Sequence, residues 1–490
     1  MKHCAYILLF AVALTLGMGK LCAQDVVLSD AQKLSSKTPN LRILGKNNEG
    51  IIIYKFGKDE DIIEAYNSNL MLKWSQSLNI KQENSNIEEI FLYPEYSLAF
   101  FKTQEKTNTI VFAQRLSAKF KGDGQFMVMD TLYEDKYNVD TRMKIIHSQN
   151  KAHMALIYPA IGGSGKIEHV RAVGINQNME LLYRQNIVFP EVTEDFGLVS
   201  VKALNDNQLI FLFENYNRGK KRYAGEKEYL VYLYNGNNGE VTSIDFGFGK
   251  PIYGLLRLEV DNVNNQLTVA GFYTDDERTE AIGYFVQSYN MASKAIVVNH
   301  SQPFGNEMLF QAQGGDTTRN ITGLQSFKPK ELVLRFDGGV VLVAESEFTN
   351  MENQNMPTFM PSAGPSYRTV NVYYFNDILA ISTKADGTMD WFNVLRKKQI
   401  SEDDEGFFSS YSILTDDGKL HFVYNEEIFY KTNVNEYIVD ATGKTARNYL
   451  FNAGTKELML APGIAKQISG RELLIPSFRN RSIKFVKITF

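Results

Sequence analysis

Cysteine is almost missing from this chain: Cys4 and Cys22 are the only two in 490 residues. Both fall in residues 1–23, a segment that reads as a leader removed on export. The chain from Gln24 onward then has no thiol, which excludes disulfide stapling, thiol catalysis and cysteine-held metal. Histidine is sparse as well, with His147, His153, His169, His300 and His421 beyond the leader and no H-E-x-x-H or H-x-x-x-H spacing among them. Ser409 and Ser410 sit in no G-x-S-x-G elbow, and "GGSG" at 162–165 lacks the lysine and helix of a phosphate loop. Long apolar runs are lacking too. The stretch from Ala5 to Leu16 is too short for a spanning helix, which takes about 20 residues, and nothing later approaches that length. Nor is one sign of charge dominant. The formal net charge is −4, or about −6 once Lys2 and Lys20 leave with the leader. A mildly acidic chain with dispersed charge argues against nucleic acid as the main partner.

What the leader contains is a basic start at Lys2, a short apolar centre and small residues beyond it. Cleavage is expected after Ala23, with Gly19 as the alternative. The protein is therefore expected to be exported, to the periplasm or to the outer membrane or cell surface. Cys22 raises a lipoprotein alternative, which Leu21 fits less well than the small residue a lipobox requires. With 44% apolar and 12% aromatic residues the rest of the chain can bury a large core.

That core is repetitive. A short apolar strand recurs just after a turn rich in Asn, Asp or Gly: "NNEGIIIYKF", "YPEYSLAFFK", "SQNKAHMALIYP", "NDNQLIFLFE", "VNNQLTVAGFY", "FDGGVVLVAES", "DDGKLHFVYN" and "SGRELLIPSF". Turn residues that accept positive φ, followed by β-branched and aromatic runs, are the hairpin signal. A second hairpin follows in most units, and three outer strands share one spacing: Asn69 to Trp74 to Leu78, Asn178 to Tyr183 to Ile187, and Asp386 to Trp391 to Leu395. Both tryptophans thus hold one repeat position, where packing between neighbouring units is the expected role. Four antiparallel strands about every 55 residues predict an all-β fold, a single β-propeller over 24–490. Eight blades are favoured and seven are the alternative. The last unit stops at "SIKFVKITF", its third strand, so "DVVLSD" at 25–30 is expected to close the ring as the fourth.

In such a blade the connections between strands two and three, and between blades, share one face. Here they are the long ones, with insertions expected at 301–327 and 348–368. The stretch "RKKQISEDDEGFFSSY", Arg396 to Tyr411, links the sixth blade to the seventh across this face. Lys397, Lys398, Gln399, Arg218, Arg222, Phe359 and Tyr367 are the loop-face candidates for binding. Glu402, Asp403, Asp404 and Glu405 offer hard oxygens to Ca²⁺, against a solvated turn neutralised by Lys397 and Lys398. No other cofactor is indicated.

At "DGTMDW", Asp386 to Trp391, the outer hairpin resembles the docking segment of quinoprotein-type (PQQ-like) propellers. "NLMLKW" and "NMELLY" echo it, whereas the vicinal disulfide of quinoprotein dehydrogenases has no counterpart. As a whole the chain looks like secreted propeller proteins common in Bacteroidota, best at Asn376 to Ser412. That resemblance implies an envelope location and no established activity. The expected function is a protein-binding scaffold of the cell envelope, acting as a monomer or in a hetero-complex, with catalysis not indicated. The alternative is a carbohydrate-binding or polysaccharide-active propeller with acidic residues at the channel mouth.

Overall fold

The computed structural model describes residues 24–490 apart from 35–39, 58–60, 79, 81–84, 107, 134–142, 216–225, 250, 276–279, 316–321, 357–365 and 429–431. Eight antiparallel units follow one another over 40–77, 86–133, 144–187, 196–244, 252–303, 327–395, 412–452 and 466–489. The first seven supply their own four strands. The eighth supplies three, and Asp25–Leu28 pairs with its last strand in the register Asp25↔Thr489 to Leu28↔Val486. The ring is an eight-bladed propeller closed by its N-terminal strand.

The second and third strands of each blade are covered on both faces, which is why they read as continuous apolar runs rather than alternating ones. Ile51 to Tyr54, Leu98 to Phe101, Leu209 to Phe213 and Leu473 to Ile475 are all buried. Outer strands face solvent on alternate residues, as in Ala295–Pro303. The buried apolar residues form eight clusters, each drawn from two neighbouring blades, so one cluster fills each blade interface. Blades four and five are also joined by backbone pairing, Glu226↔Tyr253 and Lys227↔Ile252.

The repeated Asn and Asp at the outer turns have a direct role. The side chains of Asn67, Asn176, Asn235 and Asp440 each accept the N–H two residues on, which shapes the turn between strands three and four. The shared aromatic position packs as its spacing implies. Trp74 lies against Phe120 of the next blade at 6.5 Å, and Tyr183 meets Tyr234 edge-on at 5.5 Å. Trp391 donates to Ala441 O at 3.1 Å and covers Gly443, where a Cβ would stand 2.6 Å from the indole. One short helix, Asn306–Ala312, fills part of the 301–327 insertion. Among the described residues no helix is long and apolar enough to cross a membrane.

Candidate functional site

The two faces differ sharply. On the loop-rich face the segment at 348–368, expected to be a long loop, is strand in its described residues, 348–356 and 366–368. Val340–Met356 and Ser366–Thr383 run far past the blade body and stay paired from Glu347↔Phe375 out to Met356↔Ser366. Gln399–Glu402 adds a third strand at the base, Val372↔Glu402 to Phe375↔Gln399. The result is a three-stranded tower. Phe348 and Tyr374 stack at 4.5 Å, Tyr374 donates to Glu352 Oε1 at 2.8 Å, and Gln354 Nε2 donates to Glu402 Oε1 at 2.9 Å. Met351 and Tyr367 stand out from it, 79% and 61% exposed.

The base of the tower explains the mixed charges of Arg396 to Tyr411. Lys397 and Gln399, expected on the surface, point inward. The side chains of Lys397 and Glu345 are both fully buried, with Nζ 2.7 Å from Oε1 in an ion pair rather than an aligned hydrogen bond. Lys397 Nζ also donates to Phe375 O at 2.8 Å and to Gln399 Oε1 at 2.9 Å. Burial pulls the Lys397 ammonium below its ordinary range, and Glu345 draws it back up. Ser410 Oγ donates to the other oxygen of Glu345 at 2.6 Å, so this serine supports a carboxylate. Gln399 Nε2 reaches Asn425 O at 2.6 Å, and Asn425 Nδ2 donates to Phe408 O and Leu460 O at 2.9 Å. These contacts tie the sixth blade to the seventh and to the strand-entry segment of the eighth.

Lys398 is exposed beside this knot. The four acids do not converge. Glu402 meets Gln354, Asp403 pairs with Arg368 and accepts Asn371 N at 3.0 Å, and Asp404 Oδ1 accepts Gly406 N at 2.8 Å. The Asn371 N–H, with Arg368 behind it, holds the Asp403 carboxyl below the usual carboxylate range. Gly406, at φ +71°, presses on the Phe375 ring, where a Cβ would stand 2.3 Å away. Among the described residues no three acids or histidines are grouped to hold a metal ion. Arg218, Arg222 and Phe359 lie outside the described residues.

The central channel carries residues that loop-centred sequence reading missed. Toward the turn side it opens into a chamber of about 650 Å³, walled by Ile43, Phe91, Leu92 and Ile464 and edged by Arg42, Lys46, Glu89, His147, Lys151 and Lys466. A second chamber of about 670 Å³ shares Glu89, Phe91 and His147 and adds Lys202 and Glu259. Arg42 faces Glu89 at 3.6 Å, and Lys202 pairs with Glu259 at 2.8 Å. Lys151 Nζ donates to Leu92 O and Lys466 Nζ to Leu44 O, both at 3.1 Å. Desolvation pulls both lysines below the ordinary range, and for Lys466 the charge of Lys151 adds to the effect while Glu89 opposes it. His147 Nδ1 contacts Ser148 O at 2.7 Å, and its ring meets Phe91 edge-on at 4.7 Å. On the innermost strand of the sixth blade, burial raises the Glu331 carboxyl, with Arg257 opposing and Glu259 reinforcing. The available signal was charge on innermost strands, in "LRILGK", "IEEIFL" and "AKQIS".

No family model matches the chain, and no curated protein matches it. Several solved structures are similar to it at low identity. The Dos1 propeller aligns over 94% of each chain at 8% identity and a TM-score of 0.47. The polysaccharide lyase Uly1 aligns over 84% of this chain and 92% of its own, at 10% identity and 0.39. A prolyl endopeptidase structure aligns over 90% of this chain but 55% of its own, at 9% and 0.42, so this chain spans about half of that protein. Likeness at this level concerns the fold.

Proposed function

We propose that this protein is an exported envelope scaffold that holds a protein partner on its loop-rich face, at the tower of the sixth blade. The observation that carries this reading is the tower's open edge. The strand Val340–Met356 pairs with Phe327–Leu334 only as far as Ser346, and Glu347 N reaches Ser326 O. Among the described residues the edge from Phe348 to Met356 has no strand beside it. That is roughly 30 Å of backbone donors and acceptors at the usual rise per residue. Natural edges are blunted by lysine, proline or a bulge, yet "FTNMENQNM" contains neither lysine nor proline. An extended segment of a partner can add to such an edge through its main chain, with Met351 beside it as an adaptable apolar contact.

A photo-crosslinking residue placed at 351 tests this in cells, with one at Met71, which is 55% exposed on an outer turn, as control. The expected result is a discrete adduct from position 351 alone, lost in the Met351→Lys/Asn353→Lys protein without a change in melting temperature. Equal adducts from both positions, or none from 351, would refute a docking role for the tower. A second reading, a carbohydrate-active propeller, draws support from the raised Glu331 carboxyl near Glu259. It takes second place because Glu259 is already paired with Lys202 at 2.8 Å.

A further inference from the structure

The channel chamber of about 650 Å³ has more positive than negative charge at its edge, and the excess is concentrated on two residues. Arg42 has Glu89, and Lys46 has Glu472. Lys151 and Lys466 have backbone carbonyls only; among the described residues no carboxylate stands within ion-pair distance of either. Lys151 is half-buried and Lys466 is exposed at the chamber edge, where the charge of Lys151 makes Lys466 harder to protonate and Glu89 offsets part of that effect. Two cations without an ion-pair partner on a rigid wall, beside a space of ligand size, are the kind of arrangement that marks a binding site.

We propose that this chamber binds a small doubly anionic ligand, carrying carboxylate, sulfate or phosphate groups, with Lys151 and Lys466 supplying the countercharge. Arg42 and Lys46 reinforce the field from the first blade, and Phe91 and Ile464 provide apolar wall for the ligand's body. Lys151 belongs to the turn after the first strand of the third blade, so the ligand enters from the turn face. The tower stands on the opposite face, which makes this site independent of protein docking there. Binding an anion favours the charged lysines, so affinity should be highest at lower pH and fall as pH rises through their depressed titration range.

Inorganic sulfate, inorganic phosphate and succinate are the probes, titrated calorimetrically into the full exported chain at constant ionic strength. At least one should bind saturably below about 10 mM, and which one binds separates ester-like from carboxylate ligands. Lys151→Met and Lys466→Met should each weaken that binding at least tenfold. Lys294→Met, which removes a surface charge paired with Glu240 at 3.3 Å, should leave it unchanged. Melting without ligand distinguishes a binding residue from a structural tie: Lys466→Met should melt no lower than the parent, because it removes a poorly compensated charge. No saturable binding of any probe, unchanged binding in both lysine variants, or a lowered melting point for Lys466→Met would each overturn the proposal.

Discussion

Lys397→Met is the sharpest test of how the tower is anchored. The substitution keeps the length and apolar stem of the side chain but leaves Glu345 fully buried with Ser410 Oγ as its remaining partner. Breaking a buried pair from one side costs about 3–5 kcal/mol, because the surviving charge has lost its solvent and its partner. Glu345→Gln should cost less, about 1–3 kcal/mol, since Lys397 retains Phe375 O and Gln399 Oε1. The double variant Lys397→Met/Glu345→Met removes both charges and should be destabilised by less than the sum of the Lys397→Met and Glu345→Met singles, with a coupling of about 2–4 kcal/mol. Unfolding entropy of roughly 2.1 cal/mol/K per residue makes about 1 kcal/mol equivalent to 1 °C in a chain this long. Urea unfolding is therefore the better assay than melting, and Trp391 in the same blade provides the fluorescence signal. A Lys397→Met protein within about 0.5 kcal/mol of the parent, or singles that simply add, would refute a buried and charged pair.

Two further outcomes follow from charges elsewhere in the ring. Burial raises the Glu472 carboxyl, but hydrogen bonds from Lys46, Ser469 and Lys487 override it and bring it down to about 2 from 4.5. Its stabilisation is thus present above about pH 4.5 and lost as pH falls toward 2, so Glu472→Gln should cost about 1–2 kcal/mol at pH 7, discounted for solvent, and flatten the acid side of a urea-midpoint series. In the acidic turn Glu402, Asp403 and Asp404 direct oxygens to protein partners, so melting curves in EDTA, Ca²⁺ and Mg²⁺ at matched ionic strength should coincide, and a saturable rise with Ca²⁺ would contradict that placement.

The blade bodies were legible because their strands are buried on both faces, which forces the apolar runs at Ile51 to Tyr54 or Leu209 to Phe213 that repeat along the chain. Ring closure was legible for a topological reason: a unit that ends on its third strand needs a fourth, and Asp25–Leu28 was the one strand-like segment left over. The tower was not legible. Its strands project into solvent with polar residues on both sides, so 348–368 carries no apolar period and its β structure comes from pairing with itself and with Gln399–Glu402. For the same reason Lys397 looked like a solvated cation: its carboxylate, Glu345, lies in a different strand and no local spacing links them.

The channel charges show where that limit can be moved. Most innermost strands carry a register shift and some are only four residues long, as in Lys466–Ser469, so their lysines and glutamates look like loop residues when each segment is read alone. In a propeller, however, the innermost strand of every blade borders the same axis, whatever its distance along the chain. Arg42, Glu89, His147, Lys202, Glu259 and Lys466 come from six different blades and yet border two connected chambers. Once the repeat is phased, the charged residues on first strands are the ones to test for membership of one shared site. Summing charge over that strand position, blade by blade, converts a repeat pattern into an electrostatic reading of the channel. A loop-by-loop search overlooks it, because the site has no local motif and its members meet only when the ring closes.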